Sequence, residues 1–248
     1  MTDDRIRLRA SFDSVADLYD RARPGYPPEL FDDLERLAGA GPGCRVLEIG
    51  PGTGQLTVPL AERGCAIVAV ELGAALAEVA RRKLAGFPHV RIVHADFETW
   101  PLPPEPFDLM IAATAMHWLD PGVVSAKAAA ALRPGGRLAT IETHHIEGGT
   151  SPYFVDAQDC YLRFDPATTE FLRLPTAADI PGDGAAGRYE WEQAYTTGEY
   201  LDLLRTYSST LGLTPDDAGG LLTCIGSLID GRYGGRITKR YLTQLLLR

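Results

Sequence analysis

Three carboxylates in the first hundred residues each close an apolar run: Glu48 in "RVLEIG", Glu71 in "AIVAVEL" and Asp96 in "VRIVHAD". The first run leads straight into Gly50, Gly52 and Gly54, three glycines within five positions. Glycine gives up side-chain packing and conformational entropy, so such a cluster must serve a sharp turn or the close approach of a ligand to backbone. Glu48, two places before the first glycine, would repel a phosphate and suits a ligand carrying ammonium or positively charged sulfur. Glu71 is placed to accept from both hydroxyls of a ribose, and Asp96 from an adenine amino group. Leu72 and Phe97 beside them offer apolar surface to the same ring. The dinucleotide fingerprint G-x-G-x-x-G puts its third glycine one place later than Gly54, where this chain has Gln55. Together with Glu48, that departure disfavours a nicotinamide dinucleotide.

A second set of polar side chains follows later strand-like runs: His117 in "MHWLDP" after the fourth, His144 and His145 after the fifth. Histidine has the acidity that suits a general base near neutral pH. His117 and His145 are the candidates for taking a proton. Trp118, His144 and Tyr195 are candidate substrate contacts. An acceptor that is already a carboxylate would need no base and would instead call on a cation, for which Arg205, Arg236, Lys239 and Arg240 are available.

The elements that must hold these residues alternate. Strand-like runs at 44–50, 66–72, 90–96, 107–114 and 137–143 are separated by helical patterns, the signature of a parallel sheet covered on both faces. The helix in "PGVVSAKAAAALRPGG" opens at Pro121 and stops at Pro134 and the glycine pair. After residue 144 the rhythm changes to an amphipathic helix in "SPYFVDAQDCYLRF", a turn-rich connection, a strand at 189–197, two helical runs and a final strand in "RITKRYLTQLLL". Ahead of the first strand, "RPGYPP" must interrupt two helices, since proline removes a donor and biases its predecessor to extended backbone. The expected fold is α/β and Rossmann-like: a seven-stranded, mostly parallel sheet with helices on both faces and an α-helical cap inserted after strand five. It divides into N-terminal helices covering a cofactor (1–40), a cofactor-binding core (41–144), a cap (145–188) and a segment completing the sheet (189–248).

Composition narrows the partners. The chain has 248 residues, 45% of them hydrophobic, and a net charge of -9. That balance works against binding nucleic acid or an anionic membrane, both of which need a basic footprint. The basic clusters Arg5, Arg7, Arg9 and Arg81, Arg82, Lys83 are short and read as solvated faces or helix ends. Cys44, Cys65, Cys160 and Cys224 show no C-x-x-C spacing and are expected to be free thiols in a reducing cytoplasm. The N-terminus has no apolar signal region, so a cytoplasmic protein is expected. The adjacent histidines of "THHIEGG" would point to opposite faces of an extended segment, and no metal site is expected.

The three carboxylates at successive strand ends, with the glycine loop on the first, resemble the class I S-adenosylmethionine-dependent methyltransferases. "VLEIGPGTGQLTVPLAERG" is similar to their first motif, Glu71 to the acidic end of their second strand, "HADFETWPL" to the adenine-side motif, and "ALRPGGRLA" to the lead into strand five. "FDSVADLYDRARPGYP", "ATAMHWLDP", "LRTYSS" and "GGRITKRY" resemble the small-molecule subgroup that includes trans-aconitate methyltransferase-like proteins. The resemblance implies S-adenosyl-L-methionine as cofactor and S-adenosyl-L-homocysteine as product. It assigns Tyr19 and Arg23 to the cofactor's carboxylate end and adds Ala113, at the end of strand four, to the cofactor site. It implies methyl transfer to oxygen, nitrogen or carbon of a small-molecule acceptor, in a monomer or homodimer. Three alternatives stay open: a methyltransferase fold that binds the cofactor but catalyses another reaction or only binds, an NAD(P)-dependent oxidoreductase, and a methyltransferase acting on tRNA or protein. The last is disfavoured by the charge and by "ATAM" where an N-P-P-Y-like motif would stand.

Overall fold

The computed structural model describes residues 12–166 and 174–248; Arg5, Arg7 and Arg9 lie outside them. Seven strands form one sheet in the order β3-β2-β1-β4-β5-β7-β6. The strands are β1 (Arg45–Ile49), β2 (Ala66–Glu71), β3 (Val90–His94), β4 (Phe107–Ala113), β5 (Leu132–Ile146), β6 (Ala185–Thr196) and β7 (Arg236–Leu247). The first five pair in parallel, and β7 runs antiparallel to both β5 and β6. Strand order reverses between β1 and β4, so the ends of β1, β2 and β4 border the crevice where open α/β sheets bind ligands. The near-continuous apolar run of β4 follows from its central position: Leu109, Met110, Ile111 and Ala112 are fully buried, with helices on both faces.

The helices are α1 (Ala16–Ala22), α2 (Pro28–Ala38), α3 (Thr57–Glu62), α4 (Ala74–Lys83), α5 (Pro121–Ala131), α6 (Ser151–Asp156), α7 (Gln158–Phe164), α8 (Thr197–Leu204), α9 (Ser208–Leu211) and α10 (Pro215–Arg232). Pro24 to Pro27 separate α1 from α2. Asp120 caps α5 by accepting from the backbone N–H groups of Gly122 and Val123, with Pro121 at the first helical position. Arg82 and Lys83, at the end of α4, reach Asp17 and Asp20 at 2.9 and 2.6 Å. These contacts register α1 over α4, although exposed ion pairs of this kind add little stability. Asp13 does more, because its Oδ1 accepts from the N–H groups of Ala75 and Leu76 and ties the turn Phe12–Val15 to the start of α4.

Four expectations need correction. Strand five starts at Leu132 rather than 137: Leu132 pairs with Phe107 before a register shift in the Pro134–Gly136 turn, and Leu109 then pairs with Arg137. The amphipathic run at 151–164 is two helices that break at Ala157. The cap is not confined to 145–188. Tyr153, Phe154 and Cys160 share one apolar cluster with Tyr200, Leu203, Leu204, Leu221, Ile225 and Ile229, so α6 and α7 form a single covering layer with α8 and α10. Finally, Cys160 and Cys224 are not free thiols but a disulfide that joins α7 to α10 across 64 residues, with Cα atoms 5.8 Å apart. Cys44 and Cys65 are the free cysteines, both buried. The widely spaced pair has no local motif, and only the tertiary packing of α7 on α10 brings it together.

Closing a loop of this size stabilises a fold by about 2–4 kcal/mol, mainly through the unfolded chain. The double variant Cys160→Ser, Cys224→Ser should therefore melt several degrees below the oxidised protein. Identical midpoints by calorimetry would show that the cap does not depend on the bridge.

Candidate functional site

The sheet's carboxyl edge and the cap enclose a cavity of about 680 Å³, within the usual range for small-molecule sites. Its floor starts at the glycine loop. Gly50 and Gly52 have φ of +64° and +58°, and a Cβ on Gly50 would meet that of Ala115 at 3.0 Å. Left-handed backbone and close approach together make glycine the fitting residue there. Glu71, 7% exposed, braces this loop: Oε2 accepts from Gly52 N–H at 2.9 Å and Oε1 from Gly73 N–H at 2.8 Å. Burial raises its pKa, and these backbone donors pull the other way.

Of the residues expected at a cofactor, Tyr19, Arg23, Gly50, Gly52, Glu71, Leu72, Phe97 and Ala113 line the cavity. Three others stand apart from its lining. Gly54 packs within the start of the glycine-loop helix, where a Cβ would touch Leu84, Thr57 and Val58. Asp96 is turned to its own loop, accepting from Glu98 N–H at 3.0 Å, so its neighbours Ala95 and Phe97 face the cavity instead. Glu48 lines an adjoining cavity of about 280 Å³, shared with Tyr26, Gln55 and Trp191. It is 2% exposed, and its Oε2 has no hydrogen-bond partner. Burial, reinforced by the charge of Glu71, pushes its carboxyl up to about 8.

All three candidate histidines and Trp118 line the larger cavity. His117 lies against Trp118 with ring centroids 4.7 Å apart, and Trp118 meets Phe12 edge-on at 6.0 Å. Burial lowers the pKa of His117 against the pull of Glu142. His145, wedged edge-on against Phe154 at 4.5 Å, is driven down to about 2 by burial and the nearby Lys239 charge. Its Nε2 is buried without a hydrogen-bond partner. Tyr195 does not reach the cavity: it is 5% exposed and its hydroxyl shares a hydrogen bond with that of Tyr241 at 3.0 Å. Strand alternation turns it under the cap rather than toward the opening.

Two further lining residues carry signals of their own. Thr114, directly after β4, has φ of +51°, rare for a β-branched residue. Tyr207 sits in the turn between α8 and α9, its ring 4.8 Å from the Arg23 guanidinium. It belongs to the "LRTYSS" segment, whose resemblance was legible but whose individual side chains were not. Of the four basic residues available for an anionic acceptor, only Lys239 lines the cavity. Arg205 pairs with Asp202, Arg240 with Glu190, and Arg236 is exposed. Among the described residues no group of three or more His, Cys, Asp or Glu side chains is arranged to hold a metal ion, and no helix is long and apolar enough to cross a membrane.

A family model for a methyltransferase domain matches residues 46–136, the stretch running from the glycine loop to the lead into β5. An uncharacterized methyltransferase of Mycobacterium tuberculosis is 39% identical over 141 residues, covering 57% of this chain and 55% of that relative. One from Geobacillus sp. (strain WCH70) is 33% identical over 141 residues, 53% of this chain and 65% of that protein. The chain thus spans between half and two thirds of the length of these two relatives. The solved structure of a provisionally assigned type II methyltransferase from Anaeromyxobacter dehalogenans superposes with a TM-score of 0.62 at 25% identity, over 90% of this chain and 97% of that one. The same fold recurs, at 14% identity and a TM-score of 0.55, in a methyltransferase of Thiobacillus denitrificans solved with S-adenosyl-L-homocysteine, over 95% of this chain and 97% of that one. Residues 46–136 thus match a methyltransferase domain, and the described sheet has the Rossmann-like fold of S-adenosylmethionine-dependent methyltransferases.

The buried Glu48 makes a prediction for the ligand-free protein. Between pH 4.5, where an ordinary glutamate loses its proton, and about 8, the folded state holds a proton that the unfolded chain has released. Stability contributed by this group is therefore present below that window and is lost as pH rises through it. In Glu48→Gln that decline should be absent, so the variant gains in melting temperature over the parent as pH is raised from 5 to 9. Parallel profiles would show that Glu48 is not the titrating group.

Proposed function

We propose that the cavity binds S-adenosyl-L-methionine and that the protein transfers its methyl group to oxygen, nitrogen or carbon of a small-molecule acceptor held under the cap. The observation that carries this reading is the braced loop: a buried acidic side chain at the end of β2 bonded to Gly52 and Gly73 at the head of a 680 Å³ cavity. The groups present fit such a cofactor. Glu71 retains lone pairs for two ribose hydroxyls, since each carboxylate oxygen accepts more than one bond. Leu72 and Phe97 supply apolar surface for the adenine. Arg23 and Tyr19, on the cavity lining, are suited to hold the cofactor's carboxylate, and Glu48 in the adjoining cavity, with an oxygen that lacks a partner, suits a cationic group. When bound, the sulfonium supplies an already activated methyl, so catalysis is mainly positioning.

His117 is the better candidate for removing an acceptor proton. Burial and the Lys239 charge hold the His145 imidazole far below the ordinary histidine range, so it holds a proton poorly at neutral pH. His145 is assigned to orientation, its unpartnered Nε2 accepting from the acceptor. His144 and Trp118 line the same space. A small acceptor suits an enclosed, largely aromatic cap, and the net charge of -9 disfavours nucleic acid.

Two variants test the assignments. Glu71→Ala should weaken S-adenosyl-L-homocysteine binding by roughly tenfold or more, the loss of at least one charge-assisted hydrogen bond. Unchanged affinity would remove Glu71 from the site. With an acceptor found by transfer from labelled cofactor, His117→Ala should lower kcat by about 10²-fold or more and leave cofactor affinity unchanged. An unaltered kcat across pH would remove His117 as a base.

A further inference from the structure

Lys239 is the outlier among the protein's cations. It lies on β7 near the point where that strand pairs with the end of β5, His145 opposite Tyr241. It is 4% exposed yet lines both cavities. Its ammonium donates a hydrogen bond to the hydroxyl of Tyr207 at 3.0 Å. The rings of Tyr200, Tyr207 and Tyr241 surround it at 5.3 to 5.9 Å. Among the described residues no Asp or Glu comes within ion-pair distance of it, whereas Arg205 and Arg240 on the outside each have a carboxylate partner.

An ammonium group carries three donors and is costly to bury unless its charge is answered. Tyrosine faces and one phenol oxygen answer only part of that cost. The second cation facing Tyr207 is Arg23, which spends two donors on Thr206, to its hydroxyl at 2.9 Å and its carbonyl at 2.7 Å. The cavity wall therefore holds two positive groups around one phenol; Glu48 lines the adjoining cavity, but among the described residues no carboxylate forms an ion pair with Lys239. Burial would raise the pKa of Tyr207, but the charges of Lys239 and Arg23 outweigh it and lower it, so the local field favours an anion. The neighbouring wall is apolar or aromatic: Phe154, Ala157, Tyr161 and Leu174.

We infer that Lys239 is an anion anchor for the methyl acceptor, and that the acceptor is an apolar or aromatic molecule bearing a carboxylate. This rests on the reading of the cavity as a methyltransferase site with Arg23, not Lys239, at the cofactor's own carboxylate. The anchored carboxylate takes up the two remaining donors of Lys239, with the apolar body directed along the aromatic wall. Acceptor selection then depends on charge at one end and shape at the other. Arg205, Arg236 and Arg240 have no part in it.

The test uses the whole protein and binding rather than turnover. Benzoate, cinnamate and octanoate are titrated beside benzamide, cinnamamide and octanamide by ligand-observed NMR, with and without S-adenosyl-L-homocysteine. At least one acid should bind tenfold or more tightly than its amide. Lys239→Met should abolish that preference, and Lys239→Arg should keep much of it. Circular dichroism confirms that each variant is folded, and affinity for S-adenosyl-L-homocysteine should not change. Binding of amides as tight as acids, a preference that survives in a folded Lys239→Met, or no binding by any of the acids would overturn the inference. So would a parallel fall in S-adenosyl-L-homocysteine affinity, which would give Lys239 to the cofactor's carboxylate. Failure of the cofactor to bind the parent protein, with the acid preference intact, would instead count against the methyltransferase reading alone.

Discussion

A single buried carboxylate connects the parts of this molecule that matter for ligand binding. Glu71 ends β2 and accepts one backbone N–H from the glycine loop after β1 and another from the start of α4. Both loops leave the sheet beside the point where strand order reverses, and without a common acceptor their buried donors would be unsatisfied. The cross-brace sets the spacing between Gly52 and Leu72. It also leaves lone pairs of an acidic group at the cavity wall. Asp13 repeats the device one layer out, capping α4 from the N-terminal segment and drawing Phe12 toward Trp118.

The opposite wall is built differently. The cap is built on a cluster of tyrosines and leucines from four helices, closed by the Cys160–Cys224 bridge. Its inner surface meets the sheet where β5 and β7 pair antiparallel, which brings His145, Tyr241 and Lys239 into one patch. The parallel half of the sheet thus presents backbone and carboxylates, and the antiparallel half presents rings and a cation. A ligand lying across both halves would meet opposite electrostatics at its two ends.

The parallel half was the more legible in sequence. β1 to β4 are short apolar runs bounded by glycine or proline, and their observed ends fall within two residues of the expected ones. β5 was read short because Pro134, Gly135 and Gly136 look like a stop, whereas the chain bulges there and resumes pairing. Asp96 illustrates the limit of placing a side chain by its strand end: a one-residue change in loop direction faces Phe97 to the cavity and turns Asp96 to Glu98. Tyr195 failed for a similar reason, since its facing depends on how β6 registers against β7. The cap was hardest to read. Its helices are separated by β6 in the chain, so neither the shared cluster nor the disulfide has a local signature. Lys239 was one of four equivalent basic residues until the fold buried it and left the other three outside.

The chemistry of this site is decided by the ligand of the braced glycine loop. The most direct measurement is calorimetric titration of the purified protein with S-adenosyl-L-methionine, S-adenosyl-L-homocysteine, NAD and NADP in turn. A site for S-adenosyl-L-methionine predicts saturable one-site binding of the two adenosyl compounds and none of the dinucleotides. Binding of a dinucleotide alone, or of none of the four, would contradict it.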